Sequence, residues 1–171
     1  EPGRPMIYNL GIAHIFDMRA AVAVTGGPEN HLFAGLSAKM GRFYNLPSAS
    51  WVSTESCFPD AQAGLEKMFG FASHALAGVN SIWGMGQLES ELTFCPAQAV
   101  IDNEMISYAA RFARGCPVNE QTLALQVTRE VGIGGQGSFL EHEHTLEHFR
   151  SEFFMPEVLF RGRWASGGAS S

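Results

Sequence analysis

Positive charge is scarce in this chain. Lys and Arg total 11 against 17 Asp and Glu, a formal net charge of -6 over 171 residues. No basic cluster breaks that balance, so the electrostatic footprint of a nucleic-acid or anionic-membrane partner is missing. Cysteine is scarce too. Cys57, Cys95 and Cys116 are odd in number and widely spaced, which argues against a disulfide framework and for reduced thiols in a cytoplasmic protein. No apolar run approaches the roughly 18 residues of a membrane span. No signal peptide is expected, because Glu1-Pro2-Gly3-Arg4-Pro5 leads straight into an apolar run. The chain has no initiator Met and closes on Ala165-Ser166-Gly167-Gly168-Ala169-Ser170-Ser171, the pattern expected of a piece of a longer protein with a flexible tail at 165–171. What remains is a globular composition, 46% hydrophobic, with enough length for one sizeable core.

The hydrophobic pattern reads as repeated strand, loop and helix. Residues 5–10 form a short apolar run of the kind found in buried parallel strands, and a loop follows. Gly26-Gly27-Pro28-Glu29 is a strong helix start, and Asn45 and Pro47 end that helix near Tyr44. Its Leu32, Phe33, Leu36, Met40, Phe43 and Tyr44 make one apolar stripe. Residues 48–52 read as the second strand. Asp60 then caps a helix whose Leu65, Met68, Phe69, Ala72, Ala75 and Leu76 share a face, and Gly78 ends it. Residues 80–83 are the third strand. Beyond them a helix opening at Pro96 is expected to turn Val100, Ile101, Met105, Tyr108 and Phe112 inward and to stop at Gly115. Asn119 caps a further helix reaching Val131. Gly132 to Gly137 connects it to a polar helix over 139–153. Strand–helix alternation implies a parallel α/β sheet. Three units do not close a barrel, which needs about 250 residues. The chain is therefore a small open sheet with added helices or the last part of a barrel.

Ligands of such sheets bind at the carboxyl ends of the strands. Three loops converge there. They supply Asn9, His14 and Asp17, then Ser53, Thr54, Glu55, Asp60 and Gln62, then Gln87, Glu89 and Glu91. The rim is rich in carboxylates and poor in cations, which suits a cationic ligand. Each residue also has an ordinary role, since loops are polar and Asp60 is a helix cap. His144 and His148 are four apart with His142 nearby, a spacing able to bind zinc. Glu147 stands where the His-Glu-x-x-His order does not want it, and no metal site is assigned. Gly84-x-Gly86 lacks the third glycine of a dinucleotide fingerprint and runs into acidic residues. Cys57 has Glu55 beside it and no cation, so it reads as a spectator thiol.

At Pro59-Asp60-Ala61-Gln62-Ala63-Gly64-Leu65-Glu66-Lys67, Gly84-Met85-Gly86-Gln87-Leu88-Glu89 with Thr93-Phe94, and Val100-Ile101-Asp102-Asn103, the chain resembles the trimethylamine methyltransferase family of corrinoid-dependent amine methyltransferases. Gly27-Pro28-Glu29, Pro117-Val118, Thr122-Leu123-Ala124 and Val131-Gly132-Ile133-Gly134 support the match, which covers nearly the whole chain. The resemblance implies a TIM (β/α)8 barrel of which this is the C-terminal part. About three β/α units would fill residues 1–95, and helices of the same domain would fill 96–164. It also implies a family of cytoplasmic enzymes that move a methyl group to a corrinoid (cobalamin) carried by a partner protein docking at the barrel mouth, with no cofactor bound tightly by the barrel itself.

In the archaeal trimethylamine enzymes of this family a pyrrolysine precedes the Pro-Asp-x-Gln-Ala-Gly motif, and its position falls on Ser53. A serine hydroxyl cannot capture an amine as an electrophilic imine would. The resemblance is thus to the non-pyrrolysine branch, which demethylates quaternary amines such as glycine betaine. A quaternary ammonium is already an activated methyl donor, since it leaves as a neutral tertiary amine. It requires desolvation, an aromatic or anionic cradle and an aligned nucleophile. Ser53 is the expected catalytic position, and Glu55, Asp60, Gln62 and Glu89 are the expected substrate-binding residues. Trp51 and Trp83 offer ring faces from within strands. The alternatives are trimethylamine itself as substrate, or a non-catalytic barrel that binds a quaternary amine or a partner protein. A homo-oligomer stays open, and the piece alone is expected to be inactive.

Overall fold

The expected strand–helix alternation folds as a parallel sheet with helices on one side. A computed structural model of the chain describes residues 3–9, 14–132 and 137–162, divided into two compact units, Glu1–Ala113 and Arg114–Ser171. The first unit contains β1 (Tyr8–Asn9), β2 (Ile15–Asp17), β3 (Val22–Val24), α1 (Pro28–Phe43), β4 (Ser48–Trp51), α2 (Ala61–Leu76), β5 (Ser81–Trp83), β6 (Gln87–Leu88) and β7 (Thr93–Phe94), with α3 (Pro96–Arg114) closing it. β1, β4 and β5 form the parallel sheet in that order. Tyr8 pairs with Ser48, and Ser50 and Trp51 pair with Ile82 and Trp83. The helix boundaries follow local chemistry. Pro28 opens α1 with its ring already set for helical φ. The Asp60 carboxylate accepts the Ala63 N–H at 2.9 Å and caps α2.

Two short hairpins are additions to that expectation. The loop after β1 folds back as antiparallel β2 and β3, and the segment after β5 as antiparallel β6 and β7. The first strand is also shorter than 5–10, with Tyr8 and Asn9 paired and Leu10 outside the described residues.

The helix faces require a larger correction. α1 buries Asn30, His31, Ser37, Ala38 and Gly41, and α2 buries Ala63, Lys67, Gly70, Phe71 and His74. The apolar stripes are only partly packing surfaces, with Met68 and Ala72 of α2 against the core and other members turned away from it. Leu32 is 61% exposed, Leu65 73% and Phe69 53%. α3 meets the inward face expected of it only in part, with Met105 against the core. Val100, Tyr108 and Phe112 are exposed, while Gln98, Asp102, Glu104 and Ala109 are buried. Close approach explains the difference. A Cβ on Gly70 would stand 2.6 Å from a Val52 methyl and 2.7 Å from the His31 ring. Only small residues, or polar ones that pair with one another, fit beneath helices seated so near the sheet. The apolar core that remains is modest: Val52, Phe71 and Ala109, with Met68, Ala72, Ile82, Met105 and Ile106 packed against it.

The second unit holds α4 (Glu120–Leu123), α5 (Leu125–Val131) and α6 (Glu143–Glu152). The single helix expected from Asn119 to Val131 is broken at Ala124, whose φ of 47° is left-handed. Asn119 forms a reciprocal capping box with Thr122. The last helix starts at Glu143 rather than 139, because the His142 side chain accepts the His144 N–H and sets the cap. Residues 133–136 of the expected connector and the whole tail at 165–171 lie outside the described residues. Among the described residues no helix is long and apolar enough to cross a membrane.

Candidate functional site

Side chains alternate across β4. Ser50 meets His74 of α2, and Val52 packs on Phe71 with Ile82 beside it. That is the helix side. Trp51 lies on the opposite face, and its register partner Trp83 stands next to it. The His14 ring meets Trp51 edge-on at 5.6 Å. Ser53 lies two residues past the end of β4. Trp83 is half exposed and donates its Nε1–H to Ser81 Oγ at 3.0 Å.

Three buried side-chain atoms in this region have no hydrogen-bonding partner among the described residues: Trp51 Nε1, Ser53 Oγ and Gln87 Oε1. Ser53 itself is fully buried. Buried polar atoms are normally paired, and leaving one unpaired costs about 1–3 kcal/mol. Of these, the Ser53 hydroxyl is a donor awaiting an acceptor, whereas the Trp51 indole lies against the Glu91 carboxylate. The Glu91 carboxylate is near enough to Trp51 and His14 for both to favour its charged form. Partial burial is the larger effect and pushes its pKa up. Glu89, Ser90 and Glu91 have φ of 52°, 50° and 76°, three successive left-handed residues without a glycine. Backbone of that kind persists only where its surroundings enforce it.

Carboxylates tie the loops together. Glu55 accepts the Thr25 backbone N–H, Thr25 Oγ1–H at 2.7 Å and the Gly26 N–H at 3.0 Å. Glu66 accepts from Thr54 Oγ1, from the Glu55 N–H at 3.1 Å and from Gln62 Nε2 at 3.0 Å. The Glu89 N–H donates to Ser56 O and the Ser90 N–H to Thr54 O, each at 2.8 Å. The loops after β3, β4 and β5 are thereby one connected surface.

Beneath that surface lies a wholly buried ion pair. Lys67 Nζ is 2.6 Å from Asp102 Oδ2, with both side chains at 0% exposure. The ammonium also donates to Gly84 O at 3.0 Å and Gln87 O at 2.8 Å. Asp102 accepts the Gly86 N–H and Gln98 Nε2, both at 2.7 Å. Burial pushes the Lys67 pKa down, and Asp102 works against that by favouring the charged form. The pair was not legible as a site. Its signal was small or polar residues at helical spacing, Ala63, Lys67, Gly70 and His74, on the face opposite the apolar stripe.

A second buried network runs between α1, α2 and β4. His31 Nε2 faces Gly26 O at 3.2 Å, His31 Nδ1 faces His74 Nε2 at 3.1 Å, and His74 Nδ1 faces Ser50 Oγ at 2.8 Å. The carbonyl only accepts, so His31 carries its proton on Nε2. His74 then donates from Nε2, and Ser50 donates to His74 Nδ1. Every step is satisfied with both rings neutral. Desolvation pushes the His74 pKa down to about 3, with a smaller contribution from His31. His31 is lowered chiefly by burial, and its bond to Gly26 O and the charges of Glu66 and Glu55 partly offset this. Unfolded histidine titrates near 6.5. Below that pH the unfolded chain takes up protons that the folded one refuses, so stability is lost as pH falls from about 6.5 towards 3. His74 alone removes about 2 kcal/mol by pH 5. Denaturant midpoints of the full-length protein at pH 7 and pH 5 measure this, and His74→Gln should flatten the difference.

Each expected substrate residue has an internal partner. Glu55 holds Thr25 and Gly26, Asp60 caps α2, and Gln62 bonds Glu66. Glu89 accepts Thr93 Oγ1 at 2.8 Å. The Asp60 carboxyl is held below its usual range, first by the Ala63 N–H. Of the wider rim, Asp17 is bound to Arg19, and Cys57 is an exposed free thiol. In the second unit His142 lies 3.3 Å from Glu130, and the His144 and His148 rings are 4.5 Å apart. Among the described residues no group of three His, Cys, Asp or Glu side chains is gathered as a metal site.

A parallel α/β sheet whose carboxyl-end loops are bound into one surface, with the buried unpaired hydroxyl of Ser53 at that end, is a ligand-site architecture. The sequence profile of trimethylamine methyltransferase (MTTB) matches residues 1–171, and the chain belongs to that methyltransferase family. It is 36% identical over 155 residues to trimethylamine methyltransferase MttB1 of Methanosarcina mazei, covering 90% of this chain and 31% of the relative. It is 38% identical over 173 residues to trimethylamine methyltransferase MttB of Desulfitobacterium hafniense, covering 98% and 34%. It is 33% identical over 166 residues to a glycine betaine methyltransferase of Desulfitobacterium hafniense, covering 96% and 34%. The chain spans about a third of the length of these relatives.

Proposed function

We propose that the full-length protein removes a methyl group from a carboxylate-bearing quaternary amine of the glycine betaine type and passes it to the Co(I) corrinoid of a partner protein, within a TIM barrel whose last strands are β1, β4 and β5. The observation that carries the substrate reading is the fully buried Ser53 hydroxyl, unpaired among the described residues just past the carboxyl end of β4. A carboxylate is an acceptor such a donor is suited to. The ring faces of Trp51 and Trp83, paired in register at that end, suit a quaternary ammonium. Glu55, Asp60 and Glu89 act on that cation through charge, since their oxygens are already bonded, and Gln62 acts through its bond to Glu66. Ser53 binds and orients the substrate.

The corrinoid supplies the nucleophile for the methyl group, while the C–N bonding pair leaves with nitrogen as a neutral tertiary amine. The work left to this chain is to desolvate the ammonium, align one methyl and keep water out. Exposed Phe58, Met85, Leu92 and Phe94 on the loops after β4 and β5 suit the docking of a protein that carries such a group.

The test is incubation of the full-length protein with glycine betaine and free Co(I) cobalamin. Dimethylglycine is expected to form, and absence of demethylation with every quaternary amine tried overturns the reading. Trimethylamine is the second substrate to assay, because relatives at 36% and 38% identity carry that name, against 33% for the glycine betaine methyltransferase. Binding of glycine betaine by calorimetry without turnover, in the presence of the partner, marks a non-catalytic barrel.

A further inference from the structure

The three motifs that carry the family resemblance are far apart in sequence and meet at one buried point. Lys67 comes from the first, Gly84, Gly86 and Gln87 from the second, and Asp102 from the third. The arrangement is complete in itself. The ammonium has three acceptors, Gly84 O, Gln87 O and Asp102 Oδ2. The carboxylate has three donors, Lys67, the Gly86 N–H and Gln98 Nε2. A buried ion pair contributes little net stability, because desolvating two charges offsets their attraction. Apolar residues of similar volume would hold α2 and α3 together as well. What they would not do is grip the main chain of the loop after β5 at three successive points.

That loop is pressed against β4. A Cβ on Gly84 would stand 1.9 Å from Val52 O. Beyond it, the Glu89 and Ser90 N–H groups bond Ser56 O and Thr54 O, so its height sets that of the loop following Ser53. Gln87, with its buried unpaired Oε1, lies on the same gripped segment. We propose that Lys67 and Asp102 are a positioning pair for methyl transfer, fixing the Gly84–Gln87 loop and through it the Ser53–Ser56 loop against the substrate. This rests on the function proposed above.

The test uses the full-length protein carrying K67M/D102L, which removes both charges at once. Its melting temperature is expected to fall, but less than that of K67M alone, because Gly84 O, Gln87 O, the Gly86 N–H and Gln98 Nε2 lose their partners while no unpaired charge remains. Amide exchange at Gly86, Glu89 and Ser90 is expected to quicken at least tenfold. With glycine betaine and free Co(I) cobalamin, kcat is expected to fall about 100-fold, as for a displacement near 1 Å, with little change in substrate Kd. K67M/D102N keeps an uncharged acceptor for the Gly86 N–H and should recover about tenfold of that loss. It also carries the test if the first variant does not fold. Native exchange rates and native kcat in a folded variant overturn the inference. A fall in kcat matched by an equal fall in melting stability, without local exchange, overturns it too. Wild-type protein that demethylates no quaternary amine overturns the functional reading, and the exchange rates then decide the linkage between the pair and the loop on their own.

Discussion

Lys67→Met alone is expected to destabilise the full-length protein by about 3–5 kcal/mol, measured as a shift in denaturant midpoint at constant slope. The cause is the partner left behind. Asp102 has no access to water, and its negative charge would keep only the Gly86 N–H and Gln98 as donors. Gly84 O and Gln87 O lose a charged donor at the same moment. Adding Asp102→Leu should restore part of the stability, because it removes the uncompensated charge. A single variant as stable as wild type would show that Asp102 reaches water or another cation in the complete protein.

Gly84→Ala is expected to cost a similar amount, about 3–5 kcal/mol, from a different source. Gly84 sits at φ +106, where side chains are strained, and its added Cβ would fall 1.9 Å from Val52 O. Neither atom can give way easily. The carbonyl lies one residue past the end of β4, the central strand, and the Val52 N–H is bonded to Trp83 O at 2.9 Å. Gly115→Ala is the control. Its φ of +67 is also left-handed, but nothing lies within 4 Å of the added atom. It should cost only about 1 kcal/mol, the conformational part alone. Equal losses at the two positions would mean that contact with β4 contributes nothing.

The sequence carried the order of the elements and most helix ends, because those are written in local chemistry. Pro28 acts through its own ring, and Asp60 and Asn119 each bond a residue three places on. It did not carry which side of each helix faces the sheet. Apolar periodicity measures where a helix is greasy, and here Leu32, Leu36, Leu65 and Phe69 are greasy on the side turned away. Gly41, Gly70 and Ala63 were the clue to close packing. The site was partly legible. Ser53 was placed by its motif, but its burial and its missing acceptor depend on the folded loops. The Asp60 cap was legible, but only geometry shows Glu55 and Glu89 bonded to backbone or hydroxyl donors. Lys67 with Asp102, and His31 with His74, are joined by contacts 35 and 43 residues long, which no local pattern encodes.

Lys67 and Asp102 address the loop after β5 through two carbonyls and one N–H, never through a side chain. Main-chain atoms are common to all residues, or to all but proline for the N–H. The side chains at Met85 and Gln87 are therefore free to vary under an unchanged anchor. A lineage can retune what this loop presents to a ligand while the loop keeps its height above the sheet. Coupled substitution is expected between positions 67 and 102, and not between either of them and the loop they hold.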